Sequence, residues 1–340
     1  MSERGLLDLI IARLPGLSFR EKASLCESLE GERDLSLKSR REIEALVGRR
    51  LAADWDIDLV RMLAERDSRA SQLRGISWVS LQSPEYPPLL REIYDPPAVL
   101  FYRGRLPDAE RPLAAIVGTR KPSPAATAQT IDIAGNLARG GISVVSGLAL
   151  GIDAMAHRGN IEGGAPTYAV LGSGVDEVYP ASNRALARRV LETGGALISE
   201  YPPGTRPRKW NFPARNRIIS GLCRGVLIAE APEKSGALIT ARFALEQNRE
   251  LWVASVGAGG ADSPGGQLTA AFDRKGTQRL VEDGAEIVYS ASDILGMWNV
   301  EAAGSNPRRG SAGAAPGRDP AKDAALAEAS SLACSLGITL

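Results

Sequence analysis

Downstream of residue 113 the chain repeatedly carries short apolar runs that do not alternate with polar residues: Ala114–Val117, Ile142–Val145, Thr167–Leu171, Ala196–Ile198, Gly225–Ala229, Leu251–Ala254 and Glu286–Tyr289. A strand with one wet face alternates. A run that is apolar at every position has both faces covered, as in a parallel sheet lying between helices. Most intervals between the runs carry helical periodicity, for example Ala125–Arg139, Asn183–Glu192 and Ser235–Gln247. Strand and helix in repetition specify an α/β fold, here a Rossmann-like, doubly wound and mostly parallel sheet.

The flanks differ in texture. Residues 1–75 are charged, with apolar positions at helical spacing (Leu6, Leu7, Ile10, Ile11, then Leu25 and Leu29), and predict a small N-terminal helical domain. Leu14-Pro15-Gly16-Leu17 breaks its first helix. That turn is either a plain connection or, in a helix-hairpin-helix (SAM-like) arrangement, a set of backbone amides offered to a phosphate. Residues 76–298 then form the extended Rossmann-like domain. Its first part, 76–107, is proline-rich with short β-prone pieces at Ile76–Val79 and Val99–Tyr102, and predicts a connector that packs as an extra strand at the sheet edge. Residues 299–320, including EAAGSNPRRGSAGAAPGRDP, have too little apolar surface to fold and predict a flexible linker. Residues 321–340 suffice for one short Ala-rich helix or a disordered tail.

A length of 340 residues, at roughly 150 per domain, allows two domains or one large domain plus appendages. The formal net charge is +1, so a surface for nucleic acid must be a local patch and not a global field. Three scattered cysteines (Cys26, Cys223, Cys334) and a single histidine, His157, give neither a disulfide framework nor a zinc signature. They suit a reducing cytosol, and no metal or cofactor is expected. No apolar run reaches the roughly 20 residues that span a bilayer. The start of the chain reads as a helix, not a signal peptide. The expected location is cytoplasmic, with no membrane partner.

In open parallel sheets ligands bind at the carboxyl ends of the strands, against helix N-termini. Three loops there carry glycines: Gly118-Thr119-Arg120-Lys121-Pro122, Ser146-Gly147-Leu148-Ala149-Leu150-Gly151 and Leu171-Gly172-Ser173-Gly174. Ser235-Gly236 opens a further helix directly after a strand. Such loops seat anions on free amides, or they only let strand and helix pack closely. No complete G-x-G-x-x-G and no G-x-x-x-x-G-K-[ST] occurs, so the nucleotide-cofactor fingerprints are missing.

Tyr201–Ala229 carries the strongest local signal. It holds Arg206, Arg208, Lys209, Arg215, Arg217 and Arg224 with no Asp or Glu, and Trp210 and Phe212 lie among them. Cations that follow a backbone beside aromatics that stack bases are the chemistry of single-stranded nucleic-acid binding. A solvated cationic face is the bland alternative, against which the apolar Trp-Asn-Phe-Pro in its middle argues. Glu230 at a strand end reads as a helix N-terminus carboxylate or a base. Asp153 reads as a helix-start carboxylate and His157 as a locally bonded core or interface histidine.

AIVGTRKPSP, VVSGLALGIDAMAHRG, AVLGSGVDEVYP, ISEYPPGTRP, NFPARNRIISGL, SGALITARFALEQNRE and RKGTQRLVEDGA together resemble the DNA-processing protein A (DprA/Smf) family. The resemblance runs in unbroken order over roughly residues 76–295. It implies a non-catalytic binder of single-stranded DNA that protects incoming DNA in natural transformation and loads the RecA recombinase. It also implies a homodimer through the surface around Arg274–Asp283. Gly118, Thr119 and Arg120 match the family's G-[ST]-R phosphate loop. Gly204, Lys209 and Phe212 match the glycine, cation and base-contacting aromatic of its DNA pocket, and Arg215 and Asn216 match the RN pair that follows. Ser146 and Gly147 of the second glycine loop complete the expected DNA-contacting set. The chain departs from the family at Ser255-Val256-Gly257, which opens a longer loop over Ala258–Asp273, and at Arg274-Lys275-Gly276-Thr277-Gln278, where S-R-G-[TC]-N is usual. The competing reading is a nucleotide or nucleoside-phosphate hydrolase, of whose P-G-G-x-G-T signature Pro264-Gly265-Gly266 and Gly276-Thr277 are a scattered echo.

Overall fold

Every residue of β3 (Leu113–Val117) is buried, and so are those of β4 (Ser143–Ser146), β5 (Tyr168–Val170), β6 (Ala196–Ser199) and β7 (Gly225–Ile228). The apolar runs are strands covered on both faces. The structure, a computed structural model, describes residues 3–51, 55–259 and 272–300. Among these, β1 (Ser77–Ser80), β2 (Val99–Gly104), β8 (Glu250–Ala254) and β9 (Glu286–Val288) complete one sheet of order β1-β2-β6-β5-β4-β3-β7-β8-β9. The pairs from β6 to β9 are parallel, whereas β1–β2 and β2–β6 are antiparallel. The proline-rich connector thus adds two edge strands, not one.

Five helices precede the sheet: α1 (Glu3–Arg13), α2 (Phe19–Ser28), α3 (Glu32–Leu37), α4 (Arg40–Val47) and α5 (Ile57–Leu73). Ser18 with Glu21 and Ser39 with Glu42 form capping boxes that start α2 and α4. The Leu14–Leu17 turn is fastened inside this region: Trp55 Nε1 donates to Pro15 O at 3.0 Å and Arg49 Nη2 to Gly16 O at 2.7 Å. Arg13 grips the buried Asp67 carboxylate at 2.5 and 2.6 Å and ties α1 to α5. These helices and the sheet share one core. Leu7, Ile10, Ile11 and Leu14 pack in the same cluster as Phe101, Ala169 and Leu197.

The remaining helices are α6 (Pro88–Arg91), α7 (Pro124–Arg139), α8 (Ile152–Glu162), α9 (Arg184–Glu192), α10 (Asn211–Gly221), α11 (Gly236–Glu246), α12 (Ser255–Ala258), α13 (Lys275–Glu282) and α14 (Ala291–Met297). Helix α7 starts where its sequence says it should, with Ser123 accepting from Ala126 N and Pro124 in the first turn. One sheet face packs Ile218 and Ile219 of α10, Leu222 just beyond its end, and Ala237, Ala241 and Ala244 of α11. The other packs Ile133, Ala134 and Leu137 of α7 and Ile152 and Ala156 of α8. The expected linker and terminal helix fall, from residue 301 on, outside the described residues. So do 260–271 of the longer loop, with Pro264, Gly265 and Gly266.

Candidate nucleic-acid interface

The chain runs β3, β4, β5, β6 outward on one side of β3, then returns to place β7, β8 and β9 on its other side. Loops leaving β3 and β7 therefore diverge, and a crevice opens between them at the carboxyl edge. A cleft of about 580 Å³ occupies this switch point. The loop after β3 supplies Gly118, Thr119 and Arg120, the turn before α11 supplies Lys234 and Ser235, and α10 supplies its inward face. That face is Phe212, Arg215, Asn216 and Ile219, spaced i, i+3, i+4 and i+7, which a helix places on one stripe.

The β3 loop is held from behind. Thr119 N donates to Glu230 O at 2.8 Å, and the Glu230 carboxylate takes Ser123 N and Arg274 Nε, both at 2.7 Å. Both charged groups of that pair are buried. Glu230 is thus a structural carboxylate at the start of α7 and behind the β3 loop. Arg120 and Lys121 stay exposed. Among the described residues Arg120, Lys209 and Lys234 form no ion pair.

The β4 loop is closed from within. Asp153 Oδ2 accepts from Gly147 N at 3.1 Å and Ala149 N at 3.4 Å, so a protein carboxylate already fills this anion seat. Gly151 sits at φ 77°, in the left-handed region, where a side chain would also collide with Thr119 O. Gly147 makes room instead of contacts: a Cβ there would lie 2.6 Å from the Arg215 guanidinium. Burial pushes the Asp153 carboxyl up, against the pull of Arg215, and brings Arg215 down to about 10.

Several expected contacts change character. Arg215 is only 4% exposed. Its Nη1 donates to Gly147 O at 3.0 Å and to Val170 O, so it braces α10 against β4 and β5 at the back of the cleft. Ser146 is a core residue whose hydroxyl donates to Ile116 O at 2.7 Å. Gly204 lies away from the cleft wall, its amide donating to Asp176 Oδ1 at 2.9 Å. The third glycine loop is likewise internal, with Gly174 N bonded to Thr205 O. The cationic segment does not form one patch. Arg217 is locked on the buried Glu200 carboxylate at 2.6 and 2.9 Å, and Arg224 lies 3.5 Å from Glu250. Arg206, Arg208 and Lys209 face solvent, and of these Lys209 lines the cleft. Trp210, 67% exposed, stands outside it with Arg208 over its ring at 5.6 Å.

Gly118, Thr119, Arg120, Lys209, Phe212, Arg215 and Asn216 do meet at one cleft, with Gly147 behind them in an adjoining recess. Tyr179 and Lys234 also line the cleft, beyond the residues expected from sequence. Tyr179 places its ring 5.5 Å from that of Phe212, and Lys234 precedes the cap of α11. Tyr179 was present within GSGVDEVYP, a stretch already carrying the resemblance. His157 is buried and neutral. Thr167 Oγ1 donates to Val144 O and so accepts from His157 Nδ1–H at 2.8 Å. Burial drives its pKa down to about 3. Among the described residues no cluster of three His, Cys, Asp or Glu side chains is placed to hold a metal, and no helix is long and apolar enough to cross a membrane.

The family model for DNA recombination-mediator protein A matches residues 77–299. The chain belongs to this family. Its members include the protein Smf of Synechocystis, 42% identical over 228 residues, which are 66% of this chain but only 54% of that protein. The X-ray structure of DNA processing protein A from Streptococcus pneumoniae superposes with a TM-score of 0.66 at 32% identity, covering 87% of this chain and 98% of that one. A DNA processing protein A structure from Helicobacter pylori, described for its single-stranded DNA binding mode, gives a TM-score of 0.54 at 28% identity over 66% of this chain and 96% of that one. The match covers the whole sheet, including the antiparallel edge that a minimal Rossmann domain lacks.

Proposed function

We propose that this member of the DNA recombination-mediator protein A family binds single-stranded DNA in the switch-point cleft and delivers it to a recombinase of the RecA type, in the cytoplasm and without chemistry of its own. One observation carries the reading: unpaired cations (Arg120, Lys209, Lys234) ring a cleft whose wall holds the half-buried Phe212. Cations neutralise phosphates and release counterions, while an aromatic face stacks any base. A duplex keeps its bases stacked inward and offers the aromatic nothing. The single-stranded DNA binding described for the Helicobacter relative supports the same substrate for this cleft.

A homodimer through the surface that includes α13 belongs to the same proposal. Lys275, Gln278 and Arg279 of that helix face solvent. The test is a binding isotherm for oligo-dT at two salt concentrations beside the matching duplex. Tighter binding of the single strand with a steep salt dependence is expected, and equal affinity for the two forms overturns the reading. Sedimentation checks the dimer, and release of phosphate or base from a nucleotide panel would favour the hydrolase reading instead.

A further inference from the structure

We infer that Tyr179 is a second base-binding surface, so that the cleft holds two consecutive, mutually unstacked bases, one on Phe212 and the next on Tyr179 against Leu150. The inference rests on the single-stranded DNA reading above. Tyr179 and Leu150 are 46% and 47% exposed, and what sets them apart from apolar side chains exposed singly elsewhere on the surface is that they meet at one place beside the cleft. Both border one recess of about 50 Å³ that opens beside the main cleft, with Pro180 and Phe212 as further apolar wall. Arg120 and Arg215 complete its lining. Apolar surface rimmed by an exposed guanidinium matches the chemistry of a nucleotide, a flat base carried on a phosphate.

The ring geometry decides how bases can sit. The Tyr179 and Phe212 centroids are 5.5 Å apart and their planes are inclined by 42°. A base held between two rings needs them parallel and about 7–8 Å apart, twice the contact distance. These rings are too close and too tilted to sandwich anything. They form instead one platform with two facets. Gly172 lets this platform reach inward, because a Cβ there would sit 2.9 Å from the Phe212 ring. Bases lying on the two facets inherit the tilt between them, so neighbours on the strand lose their mutual stacking. Arg120, on the rim shared by cleft and recess, stands where the phosphate joining them must pass.

The test compares oligo-dT of about 20 nucleotides with an abasic deoxyribose-phosphate strand of equal length, using the full chain. Wild type should prefer oligo-dT. Tyr179→Ala should weaken oligo-dT binding by about 5- to 150-fold, the range for one stacked base, and leave abasic binding within about 2-fold. Tyr179→Phe keeps the ring and should bind as wild type. An equal loss on both strands means that Tyr179 only supports the fold and overturns the inference. So does wild-type affinity of Tyr179→Ala while Phe212→Ala is weakened, which leaves the proposed function standing. Failure of wild type to bind oligo-dT removes the function itself.

Discussion

The loops after β3 and β4 look alike in sequence, each a glycine turn running into a helix, yet the first is held from behind and the amides of the second are taken by the protein itself. In the β4 loop the filling group is local: Asp153, six residues beyond Gly147, turns back on the loop amides. In the β3 loop the carboxylate comes from β7 on the far side, and Glu230 holds Thr119 and Ser123 from behind. The first arrangement closes a loop and stiffens it. The second leaves the outer side of the loop open to the cleft. A glycine turn therefore states only that the backbone comes close to something. The position of the nearest carboxylate decides whether the loop's outer side stays open.

The contrast can be broken most directly at the carboxylates. Glu230→Ala strands the buried Arg274 and the Ser123 amide, and should cost roughly 3–5 kcal/mol in denaturant unfolding. Arg215→Ala belongs with it, losing stability while leaving the salt slope of DNA binding unchanged, since a guanidinium held inside the fold neutralises no phosphate and so displaces no counterion from the strand. If Arg215→Ala folds normally and flattens the slope, the assignment of closed and open sides is wrong. Phe212→Ala, on the open side, should lower single-strand affinity by roughly 1–3 kcal/mol at constant salt slope. A variant that melts early and still binds DNA fully would make the ring a core residue.

The closed side also predicts an acid limb. Burial holds His157 near 3 against an ordinary value of 6.5. Between those values the unfolded chain takes up the proton first, so stability falls as the solution is acidified from pH 6.5 toward 3. The slope from this group is at most about 1.4 kcal/mol per pH unit. Urea melts of wild type and His157→Gln across that range should differ in steepness by up to one proton. Parallel curves would show that His157 is not buried neutral. The smallest effects belong to the exposed cations. Arg120→Ala and Lys209→Ala should each flatten the logarithmic salt slope by about 0.7 per phosphate. Their stability should change by less than about 0.5 kcal/mol.

The sheet was legible because burial on both faces leaves a mark at every position of a strand, and β3 to β7 carry it without a gap. The order of the strands was not, because nothing local in β7 says that it pairs with β3 and not β6. The two-strand edge was half legible: prolines announced a connector, but the pairing of β2 with β6 depends on a return through space. At the site, the helical spacing of Phe212, Arg215, Asn216 and Ile219 could be read from the sequence. Which of its cations face water could not. Arg215 and Arg217 sit in the same acid-free run as Lys209, and the groups that hold them, the Gly147 and Val170 carbonyls for one and the Glu200 carboxylate for the other, come from other elements. The place of Tyr179 was not legible, because its ring meets Phe212 only after the loop beyond β5 and α10 are brought together.

The width of the site has a consequence for how the protein meets a long strand. From the end of β5 to the end of β7 the sheet order crosses three interstrand gaps, about 14 Å at roughly 4.8 Å each. At about 3.4 Å of rise per nucleotide, or more when stretched, no more than about four nucleotides fit. On the proposed function one molecule would have a short footprint, and a long strand would offer room for many copies side by side. When two clefts are joined in one assembly, the second engagement becomes intramolecular and its effective concentration is set by the spacing of the clefts. Grip on the strand then grows with its length, while each cleft stays as it is.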